Sequence, residues 1–121
     1  MTTAIAPADL DGIEFLWEGG LQAAHRAYLA QEPREPLALA AALVETALVE
    51  QRLGGPPAAA PELLVADLCL ARASRLLAYH ASQAVQVAFA RLVEAAALAA
   101  AEGKKQPDLR SSVAAALRAG T

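Results

Sequence analysis

The chain has 121 residues, enough for one domain with a single core and too few for two. Hydrophobic residues make up 56% of it, dominated by 33 alanines and 19 leucines against seven valines and two isoleucines, a balance that argues against sheets and for an all-α fold. Net charge is −3, and the only basic doublet is Lys104-Lys105, so a positive face that would displace phosphate counterions is not expected.

The first seven residues read as a loose terminus. A helix over 8–31 follows, with Asp9 and Asp11 favourable at its positive end and Ile13, Trp17, Gly20, Ala24 and Tyr28 on its apolar face. Gly19-Gly20 is a point where it can loosen, and Pro33 and Pro36 stop it. On this wheel His25 lies on the polar face and is expected in solvent. The second helix is read over 36–53, with Leu37, Ala41, Val44, Leu48 and Gln51 as its main stripe, Leu39, Leu43 and Val49 as a second apolar surface, and Gly54 as its stop. The run GGPPAAAP at 54–61 is the clearest break in the chain, but is too short to separate domains.

Two helices in tandem, 62–79 and 83–102, form the most distinctive stretch. The first is apolar on nearly every side, so it is expected to be the buried one. Asp67, Ala71, Ser74 and Ala78 recur on it at i, i+4, i+7 and i+11, a narrow edge of small side chains that lets another helix approach or leaves a groove. Arg72 and Arg75 sit near Leu68, either as an anion clamp or as a solvated or salt-bridged rim, the second reading being the stronger. In the second helix, capped by Ser82 and ended by Gly103, Val85, Phe89, Leu92 and Ala96 face inward and Gln83, Gln86, Arg91, Glu94 and Glu102 face out. After a loop at 104–107, Asp108 caps a short last helix over 109–119. The whole is one helical bundle of about five helices, with no heptad sustained long enough for a coiled coil.

The chemistry of a free-standing enzyme is thin. His25 and His80 lie on different helices with no ligand partners at metal spacing, and no HExxH, CxxC, P-loop, GxSxG, GxGxxG or DDxxD occurs. Cys69 has no second cysteine and reads as a core residue in a reducing compartment. The start MTTAIAPADL lacks a charged region followed by an apolar one, and no run of about 18 uninterrupted apolar residues occurs, so a cytoplasmic protein without a transmembrane segment is expected. Asp67, alone within LLVADLCLA, either takes the backbone N–H groups of the helix start or pairs across an interface.

The run LLVADLCLARASRLLAYHASQAVQVAFARLVEAAAL resembles the helix pair of trans-polyprenyl diphosphate synthases that begins with a LAGDYLLARA-like segment. Asp67 falls on the aspartate of that Gly-Asp pair, and Ala66 replaces the glycine. Upstream, LVETALVEQRLGG is similar to the helix that in catalytic members ends in the first aspartate-rich motif, a place held here by Val49, Glu50, Gln51 and Arg52. The second motif would lie beyond residue 121. The resemblance, over residues 37–98, is to the small non-catalytic subunit of a heterodimeric long-chain synthase, and it implies part of the isoprenoid synthase fold.

It further implies a large partner that carries the aspartate-rich motifs and Mg²⁺, while this chain holds no cofactor. The helices at 62–79 and 83–102 would build the subunit interface. Both are rich in apolar surface that five short helices cannot wholly cover, so a homodimer is expected when the chain is isolated, exchanging for the heterodimer with the large partner. Interface or product-tunnel candidates are Val44, Asp67, Leu68, Ala71, Arg72, Ser74, Arg75, Ala78 and Phe89. Large side chains at Ala41, Val44, Ala71 or Ser74 would then shorten the prenyl product. The alternative is a helical adaptor or assembly module unrelated to isoprenoids.

Overall fold

The computed structural model describes residues 7–50, 59–104 and 108–119, and among these every regular element is helical. Short turns at Pro7–Leu10, Glu14–Leu16 and Trp17–Leu21 lead into α1 (Gln22–Leu29), followed by α2 (Glu35–Glu50), α3 (Ala60–His80), α4 (Gln83–Ala101) and α5 (Leu109–Leu117). The loose start at 1–6, Gln51, Arg52, the Gly54 stop and most of the GGPPAAAP break lie outside the described residues, as does most of the 104–107 loop.

The long first helix expected over 8–31 is broken. Gly12 has a φ of 85° and Gly20 a φ of 129°, both in the region where a side chain is strained, so the chain turns at each. Gly20 sits inside Trp17–Leu21, which forms one wide π-helical turn kinked at that residue. The kink and the widened turn reset the helical phase, and this reverses the expectation for His25. It is 3% exposed, on the inward face of α1 with Ala24 and Tyr28, its ring 5.6 Å from that of Trp17. Burial lowers the pKa of its imidazole, against the opposing pull of the Glu35 charge and a bond to the Glu35 backbone. Among the described residues its Nε2 has no hydrogen-bond partner. The folded chain therefore takes up this proton at lower pH than the unfolded chain does. The stability linked to the neutral ring is complete above about pH 6.5 and is lost as pH falls from there through the depressed folded value. Thermal midpoints measured between pH 7.5 and 5 should fall, and His25→Leu should flatten that slope.

The buried centre is α2, not the 62–79 helix. From Leu37 to Val44 every residue is buried, because LALAAALV carries no polar side chain and its alanines let neighbours close in on all sides. α1, α3, α5 and the Trp17–Leu21 turn all pack on it. α3 buries one face only, Ala66, Cys69, Ala73, Leu76 and Leu77, since Asp67, Arg72, Ser74 and Arg75 interrupt its other sides. Burial pushes the Cys69 thiol up to about 11, with the Glu50 charge adding to it, so at neutral pH it is an inert core group.

Local signals set the later boundaries as read. The Ser82 hydroxyl accepts from the Val85 N–H at 3.2 Å, and Asp108 accepts from the Ser111 N–H at 3.4 Å and its hydroxyl at 2.9 Å. At the end of α4, Gly103 takes a φ of 69°, and the N–H groups of Gly103 and Lys104 return to the Ala100 and Ala99 carbonyls. A tether ties α5 and α1 to α2: Arg110 donates to both oxygens of Glu45 at 2.7 and 2.9 Å, Tyr28 donates its hydroxyl to Glu45 at 2.7 Å, and the guanidinium lies 5.4 Å over the Tyr28 ring.

Candidate functional site

The stripe at i, i+4, i+7 and i+11 on α3 lies on the open side of the molecule: Asp67, Ala71, Ser74 and Ala78 are all exposed. Leu64, one turn before Asp67, extends it and is 61% exposed, with Leu63 beside it at 45%. This edge is apolar at its start and small along its length. It offers a neighbouring helix close backbone approach, with the Asp67 carboxylate and the Ser74 hydroxyl as the groups on it that need polar partners.

Arg72 and Arg75 do not form a clamp. Arg72 donates from Nε at 3.3 Å and Nη2 at 2.9 Å to the Asp11 carbonyl, and its guanidinium stands 3.8 Å from the Asp11 carboxylate. Leu68 packs below it, its Cδ1 3.6 Å from where a side chain at Gly12 would begin. Both residues therefore pin the N-terminal turn to α3, the salt-bridged rim of the two readings, while Arg75 is exposed one turn on.

Between α3 and α4 runs a cleft of about 160 Å³, lined by Val44 of α2, by Leu70, Ala73, Ser74 and Leu77 of α3, and by Phe89 of α4 among others. α3 and α4 are joined by only Ala81 and Ser82, yet they make few contacts and splay apart. Val44 and Phe89 are buried in its wall and Ser74 stands exposed at its edge. An apolar group of modest size fits such a lining. Of the nine candidate residues, Val44, Ser74 and Phe89 meet here, Asp67, Ala71 and Ala78 lie along the open edge, and Leu68, Arg72 and Arg75 serve neither.

The inward face of α4 is as read, with Val85, Phe89 and Ala96 buried. The sequence reading expected exposed apolar surface on this helix without placing it; it lies on the opposite face, where Val87 is 40% and Leu98 60% exposed. The signal was present as a spacing of three and four residues, hidden in a run where alanine makes every face look apolar. Among the described residues no three His, Cys, Asp or Glu side chains converge to hold a metal ion.

Comparison with protein-family models, with curated proteins and with solved structures finds no match to this chain.

Proposed function

We propose that the chain is a non-catalytic helical subunit that docks through the open edge of α3 on a larger catalytic partner, a polyprenyl diphosphate synthase subunit that carries the aspartate-rich motifs and Mg²⁺. One observation carries the reading: Leu64, Asp67, Ala71, Ser74 and Ala78 form a continuous exposed line on a helix whose other side is already committed to the core. A small-residue edge of this kind suits a packed helix–helix contact more than it suits solvent. The resemblance over 37–98 is what suggests a synthase as the partner, and Val49 and Glu50, at the place of the first aspartate-rich motif, supply one carboxylate where metal-bound diphosphate needs several. The cleft beside the edge then has the lining that an apolar product tail would take.

The test is co-expression of the chain with a candidate catalytic subunit, followed by pull-down and prenyl transfer assay with Mg²⁺. The expected result is a complex with turnover, no turnover from this chain alone, and loss of the complex by tenfold or more in Ala71→Arg with helicity unchanged. Ser74 belongs to both the edge and the cleft, so Ser74→Phe should weaken the complex, and the product of the complex that still forms should be shorter. A complex that Ala71→Arg leaves untouched overturns the placement, and a chain that binds no synthase but captures another protein through this edge supports the general adaptor reading instead.

A further inference from the structure

The face of α4 opposite its buried side carries Ala84, Val87, Arg91, Glu94, Leu98 and Ala101, and all six are exposed. Their spacing is three, four, three, four, three, which keeps them on one straight seam about 25 Å long. Ala90, Ala95 and Ala97, also exposed, flank it, so nothing bulky holds a second helix away. Ala115 of α5 borders the same open side. Charged groups on this seam are Arg91 and Glu94, which stand on either side of its midpoint.

The order of these side chains is self-complementary. When a second copy of the seam is laid antiparallel, with the two-fold axis between residues 92 and 93, Ala84 meets Ala101, Val87 meets Leu98, and Arg91 meets Glu94. Each contact is made twice, as a two-fold interface requires. Antiparallel helices place the first position of one repeat against the fourth of the other, which is the pairing found here. A parallel pair would set Arg91 against Arg91 and Glu94 against Glu94, and like charges face to face oppose that arrangement. We infer that a second copy of this chain docks on α4, antiparallel, with two reciprocal Arg91–Glu94 ion pairs fixing the register. The inference uses a different face from the α3 edge and does not depend on any catalytic partner.

Other occupants answer differently. α4 is 19 residues long and apolar enough to cross a membrane by length and composition. A bilayer, however, would have to take Arg91 and Glu94 near its middle, where each charge is costly. A second copy supplies each of them with its opposite.

The experiment is sedimentation of the full chain and its charge variants over a wide concentration range. The wild-type chain is expected to sediment at twice its 12.5 kDa mass. Arg91→Glu and Glu94→Arg should each raise the dissociation constant tenfold or more, because each sets two like-charge pairs in the seam. An equimolar mixture of these two variants should pair again, since in the mixed dimer every position 91 faces the opposite charge at 94. Both sites are exposed, so circular dichroism should show the fold intact. A chain that remains a monomer at millimolar concentration overturns the inference, as does a dimer that neither variant weakens or a mixture that does not pair. Flotation of the monomer with phosphatidylglycerol vesicles, lost in Leu98→Glu, would give the face to lipid and overturn it too.

Discussion

Ala41→Phe should lower the thermal midpoint by about 10 °C or unfold the chain outright, although the synthase resemblance would make Ala41 a wall position for a product tail. Ala41 is 0% exposed, on a helix whose residues 37–44 are buried on every side. α1, α3 and α5 all pack on this helix. Adding a methylene or two to a packed interior already costs about 1–3 kcal/mol, and a phenyl group between three helices exceeds that range. For a chain of this length each kcal/mol moves the midpoint by roughly 3–5 °C. Circular dichroism melts check it, with Ala71→Phe as the control: Ala71 is exposed, so the same added volume should shift the midpoint by about 2 °C or less in the isolated chain. Equal melts for the two variants would mean that α2 is not enclosed.

What the sequence displayed well was local. Helix type follows from alanine and leucine, and the Ser82, Gly103 and Asp108 boundaries follow from groups that act within three or four residues of themselves. Phase was legible only where the helix is unbroken. Across Gly12 and Gly20 a wheel drawn at one pitch puts His25 in water, whereas the two positive-φ glycines and the wide turn bring it inside. Burial order was misread for a different reason. Periodicity tells which sides of a helix are apolar, not how many neighbours arrive, and α3 is apolar enough to be central while α2 is the helix that is surrounded. The contacts that fix the arrangement join residues far apart, Arg72 with Asp11 and Arg110 with Glu45, separations of 61 and 65 positions. No period or local motif announces a pair of that kind. The small-residue edge of α3 was legible and is exposed. The α4 seam was not, although its buried side was read, because Arg91 and Glu94 look like ordinary outward residues and the alanines around them blur the spacing of Val87 and Leu98.

Glu45→Ala should cost about 2–3 kcal/mol and lower the midpoint by about 10 °C, the larger part through a residue it does not directly remove. Glu45 receives the Tyr28 hydroxyl and both arms of Arg110, so one carboxylate holds α1, α2 and α5 together. Tyr28 is 0% exposed, and without Glu45 its hydroxyl is buried with no acceptor, a penalty of about 1–3 kcal/mol. Arg110 is about half exposed, so water replaces most of what it loses and its share is under about 1 kcal/mol. This division is testable in a double-mutant cycle. Adding Tyr28→Phe to Glu45→Ala removes the stranded hydroxyl and should recover stability relative to Glu45→Ala alone, whereas strictly additive losses would place the cost at Arg110. Acid gives a second readout. Burial works to raise the Glu45 pKa, but the bonds from Arg110 and Tyr28 outweigh it and hold the carboxyl below its usual value. The stability it lends is present above about pH 4.3 and disappears as pH falls through the depressed folded value. Glu45→Gln keeps an acceptor for Tyr28 and loses the charge, so near neutral pH it should fall between wild type and Glu45→Ala. As pH falls through the depressed folded value it should approach wild type, whose carboxyl is then being protonated as well.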